Sequence, residues 1–263
     1  MNAAMLLPPE PHSAPWGCTV PPAPFVAPLG ERLGEVWFAP PPPLDHLLAK
    51  LLFTSAALSV QVHPPDHAAP AGRRGKDECW LVLTAEPGAQ LGVGLREEVS
   101  EDRLRQAALD GSVERLLAWY PAQPGDFIYL PAGTIHAIGP GLVLAEIQQA
   151  SDVTYRLYDY GRGRPLHLDA ALAVADRGPH PAGLRRNVPH RADVRLVEGP
   201  HFLLDHLGGG GAQIDGPAMV MVLAGSLMAS DTQAAAGQAL MVPHGISAQA
   251  SSDARVLVIR SSG

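Results

Sequence analysis

Two stretches of the chain repeat one pattern. Gly125-Asp126-Phe127-Ile128-Tyr129-Leu130-Pro131-Ala132-Gly133-Thr134-Ile135-His136 has a partner in Gly237 through Pro243 and Gly245 to Ala248. Matching positions lie 112 residues apart throughout: 125 and 237, 131 and 243, 136 and 248. A fixed period of this kind marks a duplicated supersecondary unit, here a strand, a turn and a second strand. The chain of 263 residues is therefore expected to fold as two related halves. Ala248 stands in the second copy where His136 stands in the first, so the architecture is repeated without the same chemistry.

From Leu58 onward short apolar runs alternate with polar residues and are cut by Gly and Pro, the pattern of antiparallel strands in a sandwich or barrel. One exception interrupts it. Ser100 can cap a helix that runs through Leu109 and stops near Gly111, and Ser112 can cap a second that ends before Pro121. This predicts a helical hairpin inserted between strands. Pro8 to Pro28 and Pro40 to Pro43 are expected to wrap the surface as extended connections, because proline cannot donate to a central ladder.

Composition excludes several function classes. Apolar residues make up 46% of the chain, which excludes disorder throughout. A net charge of -7 repels nucleic acid rather than collecting it. Two cysteines, Cys18 and Cys79, are too few for a disulfide framework and fit a reducing compartment. No Lys or Arg precedes Arg32, and the apolar run Ala218 to Ala229 is too short to cross a bilayer. These features predict a cytoplasmic protein with neither a nucleic-acid nor a membrane partner, and they set no oligomeric state.

In a strand over Leu58 to Pro64, Ser59, Gln61 and His63 share one face while Val60 and Val62 share the other. Lys76 and Glu78 likewise share a face of a second strand candidate that continues as Cys79-Trp80-Leu81-Val82-Leu83. Taken alone, the histidine reads as a core residue and the Lys-Glu pair as a solvated edge. His136 changes this balance, since Pro131 and Gly133 turn the chain so that the imidazole enters a barrel mouth. The spacing resembles the second motif of the cupin superfamily. Gln61, His63, Glu78 and His136 then offer two imidazoles, a carboxylate and an amide oxygen, a set suited to a borderline divalent ion such as zinc.

The segments Ser59 to Pro64, Gly75 to Trp80, Gly125 to Gly139 and Glu146 to Arg162 together resemble the type I mannose-6-phosphate isomerases, in particular their compact bacterial branch. Trp16-Gly17 and Gly34-Glu35 are similar to that family's N-terminal motifs. The resemblance implies a mainly β fold of two cupin (jelly-roll) barrels or sandwiches with a small helical insertion. It divides the chain into a proline-rich segment 1–57, a metal-binding cupin 58–165 with helices at 100–120, and a second cupin 166–263 without metal ligands. It also implies one zinc ion per chain on Gln61, His63, Glu78 and His136, with Lys76, Glu146 and Arg156 at active-site positions.

The implied reaction interconverts mannose 6-phosphate and fructose 6-phosphate through an enediol, which makes a small-molecule sugar phosphate the partner. Either Glu146 or Lys76 can shuttle the proton, and Arg73, Arg74, Lys76, Arg156, Arg162 and Arg164 are the cations available to the phosphate. Arg156 is expected to share a strand face with Tyr158 and Tyr160. An iron cupin oxygenase and a non-catalytic sugar-phosphate sensor fit the same imidazoles. Gln61 as a fourth ligand argues against the first, and the presence of Lys76, Glu146 and Arg156 against the second.

Overall fold

In the computed structural model, Val60–Val62 (β1) is a strand whose two valines are fully buried on either side of Gln61. The structure describes residues 3–262. Two compact units emerge, one of Ser13–Glu35 and Leu51–Arg186, the other of residues 3–12, 36–50 and 187–262. Both are built from strands, so the chain is mainly β and cupin-like, with few helices. Among the described residues no helix is long and apolar enough to cross a membrane.

The first unit continues with Glu78–Ala85 (β2), Gln90–Leu95 (β3), Leu117–Pro121 (β4), Asp126–Leu130 (β5), His136–Ile138 (β6), Leu142–Gln149 (β7) and Tyr155–Tyr158 (β8). Strands β8, β1, β6, β3 and β4 form one antiparallel sheet in that order. In a second sheet β2 lies between β5 and β7. Trp80, Val82, Ile128, Leu130 and Leu144 of the second sheet share one core with Leu91, Val93 and Ile138 of the first. Each such aliphatic side chain contributes about 1.5–3 kcal/mol on burial, which holds the two sheets face to face.

The first sheet's other face is covered by helices. Val60, Val62, Ala137 and Leu157 pack with Leu104, Ala107 and Ala108 of Glu101–Asp110 (α1) and with Ala171 and Leu172 of a helix at Leu168–Val174. The pleat therefore sends the valines toward the helices and Ser59, Gln61 and His63 toward the space between the sheets. As expected, Ser100 caps α1, its Oγ accepting from Arg103 N, and Gly111 ends it at φ 80°. The second helix is shorter than expected, only Val113–Leu116. Leu117 onward pairs with β3 instead, Leu117 opposite Leu95 and Trp119 opposite Gly92, because a buried leucine and two aromatic residues gain more on a sheet edge than in another helical turn.

The duplicated half has the repeated design. Asp193–Glu198, Phe202–Leu207, Ala218–Ala224, Ala239–Val242 and Arg255–Ser261 belong to one sheet; Gln213–Asp215, Ser226–Ala229, Thr232–Ala235 and Ser247–Ala250 form another. Their core is made of residues such as Val220, Val222, Leu227, Leu240, Val242, Ala248 and Val258. In both copies the glycine before the strand and the glycine in the turn after it are left-handed: Gly125 and Gly133 at φ 90° and 94°, Gly237 and Gly245 at 83° and 78°.

One expectation is corrected. Glu10–Cys18 is a strand despite Pro11 and Pro15, at the edge of its sheet, where a missing donor costs no ladder bond. The division into units differs from one at 57 and 165. Residues up to Arg186 stay with the first unit, because Ala171 and Leu172 belong to its core and Asp176 N donates to Gly133 O (2.8 Å). Trp16-Gly17 and Gly34 lie against each other in that same unit: a Cβ on Gly34 would come within 2.5 Å of Ala14 Cβ and 3.1 Å of the Trp16 ring.

Candidate metal centre

The pleat of β1 brings Gln61 directly opposite His136 on β6. His63 follows one residue beyond β1, and its backbone carbonyl accepts from Gly133 N (2.8 Å), which ties the two imidazole-bearing segments together. Glu78 opens β2 across the core. The approach to it is fixed by Gly75, where any Cβ would lie 2.4 Å from Asp66 N, and by Lys76 N donating to Pro64 O (3.0 Å).

His63, Glu78 and His136 converge so that one ligand atom from each lies within 4.8 Å of the others. His63 Nε2 is 3.4 Å from Glu78 Oε2, and His136 Nε2 is 3.4 Å from Glu78 Oε1. All three are at most 2% exposed. The outer ring nitrogens fix the tautomers: His63 Nδ1 donates to Val153 O (2.8 Å) and His136 Nδ1 to Thr134 O (2.9 Å). Both Nε2 lone pairs are left facing the carboxylate, as in metal-ligating histidines, whose other ring nitrogen is held by a carbonyl or carboxylate. Gln61 lies beside the group, its Oε1 accepting from Ser59 Oγ (2.9 Å), so that its amide nitrogen rather than the oxygen expected of a ligand faces His136 Nε2 at 3.2 Å.

Lys76 is not the solvated edge cation of the simpler reading. Its buried Nζ lies 2.8 Å from Glu78 Oε2, 3.2 Å from His63 Nε2 and 3.8 Å from Glu146 Oε1. Glu146 in turn accepts from the Trp80 indole Nε1 at Oε2 (3.1 Å). Burial pushes the His63 imidazole down, reinforced by Lys76, and pushes His136 down to about 3. Burial alone would raise the Glu78 carboxyl, but Lys76, His63 and His136 together hold it well below the usual carboxylate range. Burial likewise works against the Lys76 ammonium, and Glu78 with Glu146 reverses this and raises it.

These residues fit a divalent ion. Lys76 already pairs with Glu78 Oε2, but the buried Oε1 has no hydrogen-bond donor, and a cation between the two neutral imidazoles would give it a partner. The nitrogen and oxygen donors suit a borderline metal.

The predicted phosphate cations separate by partner. Arg73 pairs with Asp152 in an exposed contact (3.0 Å), while Arg162 reaches Ala57 O (2.5 Å) and Arg164 is bonded to Asp159 (2.8 Å). Arg156 forms no ion pair among the described residues, and its Nε is buried without a partner. It stands opposite Gln61 across the β8–β1 ladder. The expected face shared with Tyr158 and Tyr160 is broken, since the register shifts between Arg156 and Tyr158, and Tyr160 lies beyond the strand at φ 55°. Tyr158 packs instead against Gly111 at the end of α1.

No protein-family model matches the chain. The mannose-6-phosphate isomerase of Streptococcus mutans is 44% identical over 140 residues, 50% of this chain and 44% of that protein. A mannose-6-phosphate isomerase of Bacillus subtilis is 40% identical over 139 residues, 49% of this chain and 44% of its own. The chain thus spans about half the length of the curated relatives it matches. Among solved structures, the mannose 6-phosphate isomerase from Bacillus subtilis superposes with a TM-score of 0.80 at 24% identity, over 98% of this chain and 100% of that one. The fold is that of the phosphomannose isomerases. A point variant of the phosphomannose isomerase from Salmonella typhimurium matches the same fold at a TM-score of 0.73 and 16% identity, over 98% of this chain and 99% of that one.

Proposed function

We propose that the protein is a zinc-dependent aldose-ketose isomerase that interconverts mannose 6-phosphate and fructose 6-phosphate. The observation that carries this reading is the buried group of His63, Glu78 and His136, with Lys76 and Glu146 beside it, on a phosphomannose isomerase fold. The names of the relatives that match half of the chain point the same way. Gln61, His63, Glu78 and His136 would hold the ion, and a single carboxylate leaves the site a net positive charge. When bound, the ion supplies Lewis-acid stabilisation of the oxyanion that develops as the sugar becomes an enediol.

Moving the proton between C2 and C1 falls to the chain's own groups. Lys76 sits between Glu78 and Glu146, and two carboxylates favour its ammonium, so it donates to the sugar oxygen. Glu146 is then the base that takes the proton from one carbon and returns it to the other. The unpaired fork of Arg156 binds the phosphate dianion or the enediolate. Residues 187–262 serve as a structural half without an ion. Free Cys18 and Cys79 fit a reducing cytoplasm.

A coupled assay that feeds mannose 6-phosphate and detects fructose 6-phosphate, with metal measured on the same sample, tests the reading. Turnover is expected; a metal-loaded protein that leaves mannose 6-phosphate untouched contradicts it.

A further inference from the structure

We infer that Trp80 is a positioning residue, whose indole N–H aims the Glu146 carboxylate while its ring braces the ligand histidine His136. The catalytic consequence rests on the isomerase reading above; the contact itself does not. Trp80 and Glu146 are direct partners across the β2–β7 ladder, so their side chains leave the sheet together on the face that carries Glu78. Nε1 donates to Oε2 at 3.1 Å, in surroundings where Trp80 is 0% and Glu146 4% exposed. The same indole meets the His136 ring edge-on, at 5.3 Å between centroids and 79° between planes. One side chain thus touches both the proposed base and a proposed metal ligand.

The chemistry of the donor explains why tryptophan suits this place. A carboxylate's terminal torsion is broad and nearly two-fold, so Glu146 left to itself presents either oxygen in many orientations. A donor on Oε2 removes that freedom and leaves Oε1 toward Lys76, 3.8 Å away. The indole nitrogen is only a donor and does not titrate, so it restrains the carboxylate without competing for the proton being moved. Packing alone would be served by phenylalanine, which fills the same face between His136 and Ile128 but has no N–H.

The test compares wild type, Trp80→Phe, Glu146→Gln and the double variant in their zinc-loaded form. Trp80→Phe is expected to lower kcat by roughly 10- to 100-fold, the range for a misplaced catalytic group, with KM within about twofold and zinc per chain unchanged. In the Glu146→Gln background the same change is expected to lower kcat by less than about twofold, because a residue that acts through Glu146 has nothing left to position. Independently of activity, the Trp80 indole proton–nitrogen NMR signal, assigned in the wild type by through-bond connection to the Trp80 backbone, should shift on Glu146→Gln. Loss of zinc, a rise in KM that parallels the fall in kcat, or an equal loss in both backgrounds would make Trp80 a packing residue and overturn the inference. So would an indole signal indifferent to Glu146, which decides the matter even if Trp80→Phe does not fold. A wild type without isomerase turnover, whose indole signal still answers to Glu146, would overturn the functional reading and support the positioning contact.

Discussion

His136 and Gln61 are direct partners across the β6–β1 ladder, and the duplicated half pairs Ala248 with Ile214 at the corresponding place. Two polar groups beside a carboxylate in one copy are replaced in the other by two buried apolar ones, 1% exposed each. The turn and its left-handed glycines remain. The fold supplies the mouth of the barrel, and the side chains decide whether it holds an ion.

Ala248→His is therefore expected to add no metal. The new imidazole would meet Ile214 and an aliphatic core, with no carboxylate beside it, and should destabilise the protein by about 1–3 kcal/mol through an unsatisfied buried polar group. Elemental analysis and urea unfolding of the variant check both parts.

Glu78→Gln should weaken metal binding by more than ~10²-fold, beyond the usual cost of losing a group that only orients a ligand. It should also destabilise the metal-free protein by about 3–5 kcal/mol, since Lys76 would keep only Glu146, 3.8 Å away, as a buried counter-charge. Competitive chelator titration measures the first effect and urea unfolding the second.

The metal-free protein should lose stability as pH falls from 7.5 toward 5. His63 and His136 are held neutral by burial, His136 down to about 3, whereas in the unfolded chain both take up a proton near pH ~6.5. The unfolded state then binds more protons, so the stability these residues contribute is complete above pH ~6.5 and drains away below it. Urea midpoints of chelator-treated protein across this range are expected to fall, and His136→Gln should flatten the slope.

Arg156→Lys should lower kcat by roughly 10² with zinc retained, because a point charge cannot replace the planar fork. Arg164→Lys should do less, since Arg164 is already bonded to Asp159. Steady-state kinetics with zinc measured on each sample separate the two.

The convergence of His63, Glu78 and His136 was legible because each rests on a local rule: period-two alternation for His63 and Glu78, and a Pro-Gly turn for His136. Trp80 carries no such local signal, since a tryptophan two residues past a charged position reads as core until its cross-strand partner is known, and register with Glu146 is a non-local fact. The face expected for Arg156, Tyr158 and Tyr160 failed for a related reason, as one bulge resets alternation without a trace in residue types. Two prolines in Glu10–Cys18 argued against a strand and held only against a central one. The second helix stopped early because β3 offered Leu117 and Trp119 a better partner than another helical turn.

The central claim, that an ion held by Gln61, His63, Glu78 and His136 drives interconversion of mannose 6-phosphate and fructose 6-phosphate, is tested most directly by activity across one cycle of chelation and zinc addition. The account predicts that protein shown metal-free by elemental analysis is inactive and that one equivalent of zinc restores turnover, while His136→Ala regains neither metal nor activity. Isomerisation by the verified metal-free protein at the untreated rate would contradict it.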